Sequence, residues 1–326
     1  MKKRILSGMR PTGKLHLGHL AGALKNWVEM QEKYDCFYMV ADYHALMSEY
    51  ADPSAMKDNI IDNVADYLAC GIDPDKSVIF VQSHVPEHLE LDMILSAITP
   101  LSWLERCPTY KEQLREVEGR DLATYGFLGY PVLQAADILI YKANAVPVGE
   151  DQLPHLELTR EIARRFHHLY KKEIFPEPEA IMTTTPRLLG VDNRKMSKSY
   201  GNAVNLSDSP EEIKKKIKSM ITDPQRIKKQ DPGHPDICNV YSYYKFFFPE
   251  KIGNLSDECK AGNIGCVEDK TKLADCVIEL LRPIQEKRNK FIKDRNGLEA
   301  VLAEGSKKAR EFARGTLEEV KRAVGI

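Results

Sequence analysis

The stretch from Ser7 to Leu20, Ser7-Gly8-Met9-Arg10-Pro11-Thr12-Gly13-Lys14-Leu15-His16-Leu17-Gly18-His19-Leu20, constrains the fold more than any other. The apolar run Arg4-Ile5-Leu6 precedes it, and a helical pattern from Ala21 to Val28 follows it. The order is therefore buried strand, glycine-bearing turn, helix. A helix start of this kind presents free backbone N–H groups and the positive end of the dipole, which together seat a phosphate. His16 and His19, three apart, project from one face of its first turn. Gly18 between them leaves the backbone open to something flat or bulky. A P-loop fits poorly, because Leu15 stands where Ser or Thr should meet magnesium and Pro11 removes an N–H from the loop. Taken alone, the stretch also fits an ordinary strand-turn-helix with capping histidines.

At 326 residues the chain can hold two domains and a large core. Its 43% hydrophobic and 29% charged residues are ordinary for a globular protein. No run of about 18 apolar residues appears, so no membrane span is expected. Met1-Lys2-Lys3-Arg4 is basic but is not followed by an apolar signal core. The expected location is cytoplasmic, and the seven cysteines are not read as a disulfide framework. Acidic residues outnumber basic ones up to residue 190 and the balance reverses after it. That asymmetry fits a second part that meets a polyanion, and equally fits solvated helix faces.

Up to about residue 190 strand-like and helix-like runs alternate. Cys36–Asp42 and Ser77–Gln82 read as buried strands. Residues 54 to 69 read as a helix with Ser54 as N-cap, stopped by Gly71, and a further helix follows from His88 to Ile98. Such alternation implies an α/β fold, a Rossmann-type doubly wound parallel sheet, whose ligands gather at the carboxyl ends of the strands. The first loop, Asp42-Tyr43-His44 and residues 146–152 all have that address. Thr109 to Arg120 reads as an exposed helix. Tyr130 to Tyr141 reads as an apolar helix with Pro131 at its first position, carrying Gln134 and Asp137 on one face. A lone carboxylate there is costly unless a salt bridge satisfies it or a ligand donor comes to it. Leu156 to Leu169 forms another helix, and His167-His168 at its end suits a helix C-terminal charge. The segment 187–202, with Lys195-Met196-Ser197-Lys198-Ser199 bounded by glycines, is a cationic loop whose bland reading is an exposed linker. Ser209-Pro210-Glu211-Glu212 is a capping box opening a mainly helical remainder.

His16-Leu17-Gly18-His19 and Lys195-Met196-Ser197-Lys198-Ser199, in this order and on this fold, resemble the two signatures of class I aminoacyl-tRNA synthetases. Tyr130 to Leu139 and Val146 to Gln152 look like the amino-acid-binding segments of the bacterial tryptophanyl branch, as do Ser7–Gly13 and Ala41–His44. The likeness runs from about residue 4 to the C-terminus. It implies a catalytic domain over residues 1–190 and, over 191–326, the signature loop with a C-terminal α-helical domain that binds the anticodon. It implies ATP with Mg2+, L-tryptophan and tRNA(Trp) as partners, and a homodimer, with neither membrane nor DNA involved.

By that resemblance His16, His19, Lys195 and Lys198 serve the chemistry, and Arg10, Thr12, Gly18, Lys111, Gly149, Asp151, Gln152, Met196 and Ser197 surround ATP. Gly8, Met9, His44, Tyr130, Gln134, Asp137, Val146 and Val148 surround tryptophan. Indole N–H is only a donor, and Asp137 is the matching acceptor. Tyrosyl enzymes share a Tyr-Pro…Gln…Asp helix, so tryptophan rests on the whole Val146–Gln152 context. A paralogue that binds RNA or senses tryptophan without charging tRNA is the rival of another class.

Cys238, Cys259 and Cys266 resemble part of a cysteine set with which some bacterial tryptophanyl enzymes hold an iron–sulfur cluster. Asp269 stands in place of the fourth cysteine. Asp269 as a weak ligand and Cys276 as a substitute remain open, but the favoured reading of this [4Fe-4S] remnant is ordinary buried thiols.

Overall fold

Five short apolar runs form one all-parallel sheet: β1 (Arg4–Met9), β2 (Asp35–Val40), β3 (Ser77–Val81), β4 (Ala145–Val148) and β5 (Glu179–Met182), in the order β3-β2-β1-β4-β5. The computed structural model describes residues 2–108, 123–182, 188–194, 196 and 201–326. Parallel strands buried on both faces need continuous hydrophobic runs, and β2 supplies one in Cys36-Phe37-Tyr38-Met39-Val40. Six residue pairs join β1 to β2, from Arg4↔Asp35 to Met9↔Val40. By contrast β1 and β4 pair only at Ile5↔Ala145. Strand order reverses at this junction, so the helices leave on opposite faces and a crevice opens between the two carboxyl ends.

Each face of the sheet carries its own core. One holds Leu17, Leu24, Trp27, Tyr38, Val64 and Leu68, and continues without a break into Val204, Tyr243, Leu273 and Leu298. Trp27 stacks on Tyr38 with ring centroids 4.5 Å apart, and the Tyr38 hydroxyl donates to the Trp27 carbonyl at 2.8 Å. The other core joins Leu6, Phe37, Phe80, Leu91, Leu139 and Phe166 to Ala309 and Ala313.

Two helix starts differ from the sequence reading. Ser54 does not cap, because its N–H and hydroxyl are both committed to Asp52, and the helix Met56–Ala69 begins after Ala55. Pro131 lies inside the helix Tyr125–Ile140 rather than at its first position. Thr124 caps that helix by accepting from the Phe127 N–H at 3.2 Å, so it starts more than a turn earlier. Nor is His167 a charged terminus for the helix Leu153–Tyr170. Its Nε2 accepts the N–H groups of Ile174 and Phe175, both at 3.2 Å, and burial lowers its pKa. The Ser209 capping box is present, while the helix read over 109–120 lies outside the described residues. No helix among the described residues is long and apolar enough to cross a membrane.

Helices after residue 209 grip the sheet layer through buried charge and close backbone contact. In the helix Cys266–Lys293, Arg288 bridges Asp62 at 2.9 Å and the buried Asp66 at 2.8 Å. The helix Arg295–Val324 then crosses back over β3, the edge strand. A Cβ on Gly305 would stand 1.8 Å from the Ile79 carbonyl oxygen, so only glycine allows this approach. Arg310 pairs with Glu87 at 2.9 Å and Lys142 with Glu319 at 2.9 Å along the same contact. Gly305→Ala is expected to cost at least about 3 kcal/mol in chemical denaturation, since a strand carbonyl cannot move aside as a side chain can. Unchanged stability would refute the docking of this helix on β3.

Candidate active site at the parting of β1 and β4

The turn after β1 is pinned from behind by two backbone bonds, Leu17 N–H to the Val204 carbonyl and Leu206 N–H to the Leu15 carbonyl, both 2.9 Å. Its helical run starts at Leu17, widens into a π-turn over Leu20–Leu24 and resumes through Lys25–Met30. The rings of His16 and His19 lie 3.8 Å apart, as their spacing on one face requires. His16 donates its backbone N–H to Nδ1 of His19 at 3.2 Å. That nitrogen is thus an acceptor, and the ring hydrogen of neutral His19 sits on Nε2. A Cβ on Gly18 would be 3.0 Å from the His16 ring and 3.3 Å from the sulfur of buried Met196. Gly18 therefore lets the signature-loop methionine settle directly over the helix start.

Where β1 and β4 part, a cavity of about 290 Å³ opens. Of the residues expected around tryptophan, Gly8, His44, Tyr130, Gln134, Asp137, Val146 and Val148 all line it. Met9 is not among the lining residues. Strand alternation turns Leu6 and Gly8 to the cavity, which Ser7 and Arg10 also line, whereas Met9 packs with Ile5 against the opposite core. Arg10 and Gln152, expected at the nucleotide, line the same cavity. The sequence reading missed Met39, Phe127 and His155, which also line it.

Asp137 is only 1% exposed, and the protein already supplies it with donors. Its Oδ2 accepts from His44 Nε2 at 2.7 Å and its Oδ1 from His88 Nδ1 at 2.6 Å. The Gln82 amide nitrogen lies 2.9 Å from both oxygens. Gln82 is held the right way round because its own oxygen accepts the Tyr43 N–H at 3.1 Å. Behind His88, Nε2 lies 2.7 Å from the Tyr141 hydroxyl. Burial alone would raise the Asp137 pKa, but the His88 charge interaction and the bonds from His44 and His88 outweigh it and hold the carboxyl at about 2. Nearby Asp92 moves the other way, to about 6, through burial and the Asp137 charge. Neither His88 nor Gln82 was singled out from the sequence. Gln82, directly after β3, has the strand-end address that flags ligand residues; His88 offers no local signal.

Asp151 stands exposed in the turn Glu150–Gln152, its Oδ2 taking a bond from Gln152 at 3.1 Å, and Gly149 precedes that turn. Thr12 sits in the first turn, its N–H on the Arg10 carbonyl at 2.9 Å. Neither Gly149, Asp151 nor Thr12 lines the cavity. Lys111, Lys195, Ser197 and Lys198 lie outside the described residues.

Cys238, Cys259, Cys266 and Asp269 are electrostatic neighbours. Arg226 lays its guanidinium against two of the thiols, Nη1 being 3.8 Å from Cys259 and 3.9 Å from Cys266. Asp269 is buried with Oδ1 lacking a hydrogen-bond partner among the described residues, and burial lifts its carboxyl to about 6. Cys276 is engaged elsewhere, accepting from Lys251 at 2.9 Å. No group of three His, Cys, Asp or Glu residues among those described is arranged to hold a metal ion. With three thiols, a cation already against two of them and no fourth sulfur, the residues do not fit a [4Fe-4S] cluster.

Comparison with known proteins agrees with this geometry. The family model for class I tRNA synthetases (W and Y) matches residues 1–282. A tryptophan–tRNA ligase of Thermotoga maritima is 55% identical over 326 residues, covering 99% of both chains. Another, from Aquifex aeolicus, is 46% identical across 99% of this chain and 100% of that one. Among solved structures, a tryptophanyl-tRNA synthetase of Campylobacter jejuni complexed with ADP and tryptophan superposes with a TM-score of 0.89. It is 36% identical and covers 99% of this chain and 100% of its own.

Two outcomes follow from this geometry. The Asp137 pKa of about 2 lies below its ordinary 3.8, so the carboxylate contributes stability above that ordinary value, and the contribution is lost as pH falls through about 2. His88→Leu removes one supporting donor and raises that pKa; it is expected to cost about 3 kcal/mol at pH 7 in urea unfolding, with the deficit narrowing as pH is lowered. Equal stability of the two proteins at pH 7 would contradict the role of His88. Protein made anaerobically with excess iron and sulfide is expected to be colourless; a brown product with stoichiometric iron would overturn the account of the thiols.

Proposed function

This chain belongs to the class I tRNA synthetases of the tryptophan and tyrosine branch, and on that premise we propose how it works as a tryptophan–tRNA ligase. It activates L-tryptophan with ATP to tryptophanyl-adenylate and pyrophosphate, then transfers the amino acid to tRNA(Trp). The observation that carries the reading is the cavity at the β1–β4 parting, which sets the buried, ionised Asp137 and polar Tyr130 and Gln134 beside apolar Met39, Phe127, Val146 and Val148.

In the first step a carboxylate oxygen of tryptophan attacks the α-phosphorus in line, and the bond to the β-phosphate oxygen breaks with pyrophosphate leaving. No proton moves, so the chain needs no base; it positions the reactants and neutralises developing charge. Val146, Val148, Met39 and Phe127 give the indole an apolar enclosure. Of the three side chains that bond Asp137, His44 alone also lines the cavity, so an indole N–H arrives beside it. Tyr130 and Gln134 take the amino-acid end. His19, with its hydrogen on Nε2, and His16 meet the phosphates at the helix N-terminus. Asp151 and Gln152 take the ribose side, while Arg10, Lys111, Lys195 and Lys198 oppose phosphate charge. Mg2+, a hard cation that favours phosphate oxygens, would add to this neutralisation of phosphate charge. In the second step the 2′-hydroxyl of the terminal adenosine of tRNA attacks the carbonyl carbon and AMP leaves.

The same reading assigns the helices after residue 190 to the anticodon, with their excess of lysine and arginine in support. It includes a cytoplasmic location and a homodimer. Met93 and Tyr125, 66% and 83% exposed on neighbouring helices, offer apolar area for a second copy. Amino-acid-dependent ATP–pyrophosphate exchange tests the function directly. Exchange should require tryptophan, with tyrosine slower by about a hundredfold or more. Exchange driven by tyrosine would overturn the assignment of the cavity, and no exchange with either would favour a tryptophan-sensing paralogue.

A further inference from the structure

One buried histidine at the cavity has no part in the reaction as derived. His155 lies in the first turn of the helix Leu153–Tyr170, is 1% exposed, and lines the cavity. Its Nε2 is 2.8 Å from the Tyr130 hydroxyl and its Nδ1 is 3.5 Å from the buried sulfur of Cys107. The two rings meet edge-on with centroids 5.2 Å apart. The Thr159 hydroxyl donates to the His155 carbonyl at 2.9 Å and steadies the turn that carries it.

Burial drives the His155 pKa down to about 4, with Asp151 opposing and His44 reinforcing, so the ring is neutral near pH 7 and carries one hydrogen. Two arrangements satisfy both contacts. In one, the Cys107 S–H donates to Nδ1, and Nε2–H donates to the phenol oxygen. In the other, the Tyr130 O–H donates to Nε2, and Nδ1–H donates to sulfur. A thiol is a weak donor and a phenol a good one, so the second arrangement makes the better pair of bonds. It turns the phenol hydrogen onto His155 and presents the phenol oxygen to the cavity as an acceptor. An ammonium group carries three donors and no acceptor, so it needs such a partner.

Resting on the reading of this cavity as the tryptophan site, we propose that His155, backed by Cys107, is a positioning residue that fixes the Tyr130 hydroxyl as an acceptor for the α-ammonium group of the substrate. The cavity thereby selects an amino acid over the same molecule lacking its amine. Hydrogen bonds from a charged donor are about twice as strong as neutral ones, so the orientation of one hydroxyl carries a measurable share of affinity.

Binding of L-tryptophan and of indole-3-propionate, which keeps the ring and carboxylate but lacks the ammonium, separates this role from packing. Both are measured on the full chain with wild type, His155→Leu, His155→Gln and Tyr130→Phe. Wild type should prefer tryptophan. The Leu variant should lose about tenfold in tryptophan affinity, about 1.4 kcal/mol, while indole-3-propionate changes by less than about twofold. The Gln variant keeps an amide oxygen for the Tyr130 O–H and should retain most of the discrimination. In the Tyr130→Phe background, adding His155→Leu should bring no further loss of discrimination. Equal weakening of both ligands in His155→Leu would leave His155 a packing residue and overturn the proposal, as would a Leu variant that discriminates like wild type. A wild-type chain that fails to bind tryptophan would overturn the reading of the cavity itself, and the proposal with it.

Discussion

Everything the site does depends on how little of β1 and β4 is joined. A parallel sheet gains by pairing strands along their length, yet these two share only Ile5↔Ala145. Past that point each strand end is released to carry ligand-facing residues. The helix from Leu17 leaves towards one face and the helix Tyr125–Ile140 packs in the core of the other. The lost ladder bonds are offset by two separate cores, one per face, each large enough to hold its helices without bridging the gap.

Within the gap, the chain buries a charge and secures it from inside. An isolated carboxylate at the position of Asp137 would take up a proton; His44, Gln82 and His88 keep it ionised. The same logic recurs where Arg288 meets Asp62 and Asp66, joining a helix of the second half to one of the first. In both places a polar network is completed around a buried carboxylate, Asp137 in one and Asp66 in the other, and fixes the geometry there. Asp269 is the counter-case, a buried carboxyl with an oxygen unpartnered among the described residues, and its pKa rises rather than falls.

Much of this was legible in the residues. Period and strand-to-helix alternation gave the parallel sheet, and the strand-end rule pointed to the first loop, to Asp42–His44 and to the segment after β4. Seven of the eight residues expected around tryptophan line one cavity. Met9 alone of these packs against the core of the other face, an outcome that depends on the pleat of β1. Local capping misled at Ser54 and Pro131, where Asp52 and Thr124 compete for the helix start. His88 and His155 were invisible for a deeper reason. Each acts through partners dozens of residues away, Asp137 in one case and Tyr130 and Cys107 in the other. No local pattern encodes such pairings.

Gly305 against Ile79 has a consequence in time as well as in space. The strand β3 is complete early in synthesis, whereas the helix that covers it emerges only after more than two hundred further residues. Until then the nascent sheet presents a bare hydrogen-bonding edge of the kind that recruits other strands. Closure by so distant a contact makes folding slow for the size of the sheet, and it couples the last helix to the integrity of the first half. Loss of that helix by proteolysis would therefore harm the sheet first, although the cut falls far from the cavity in sequence.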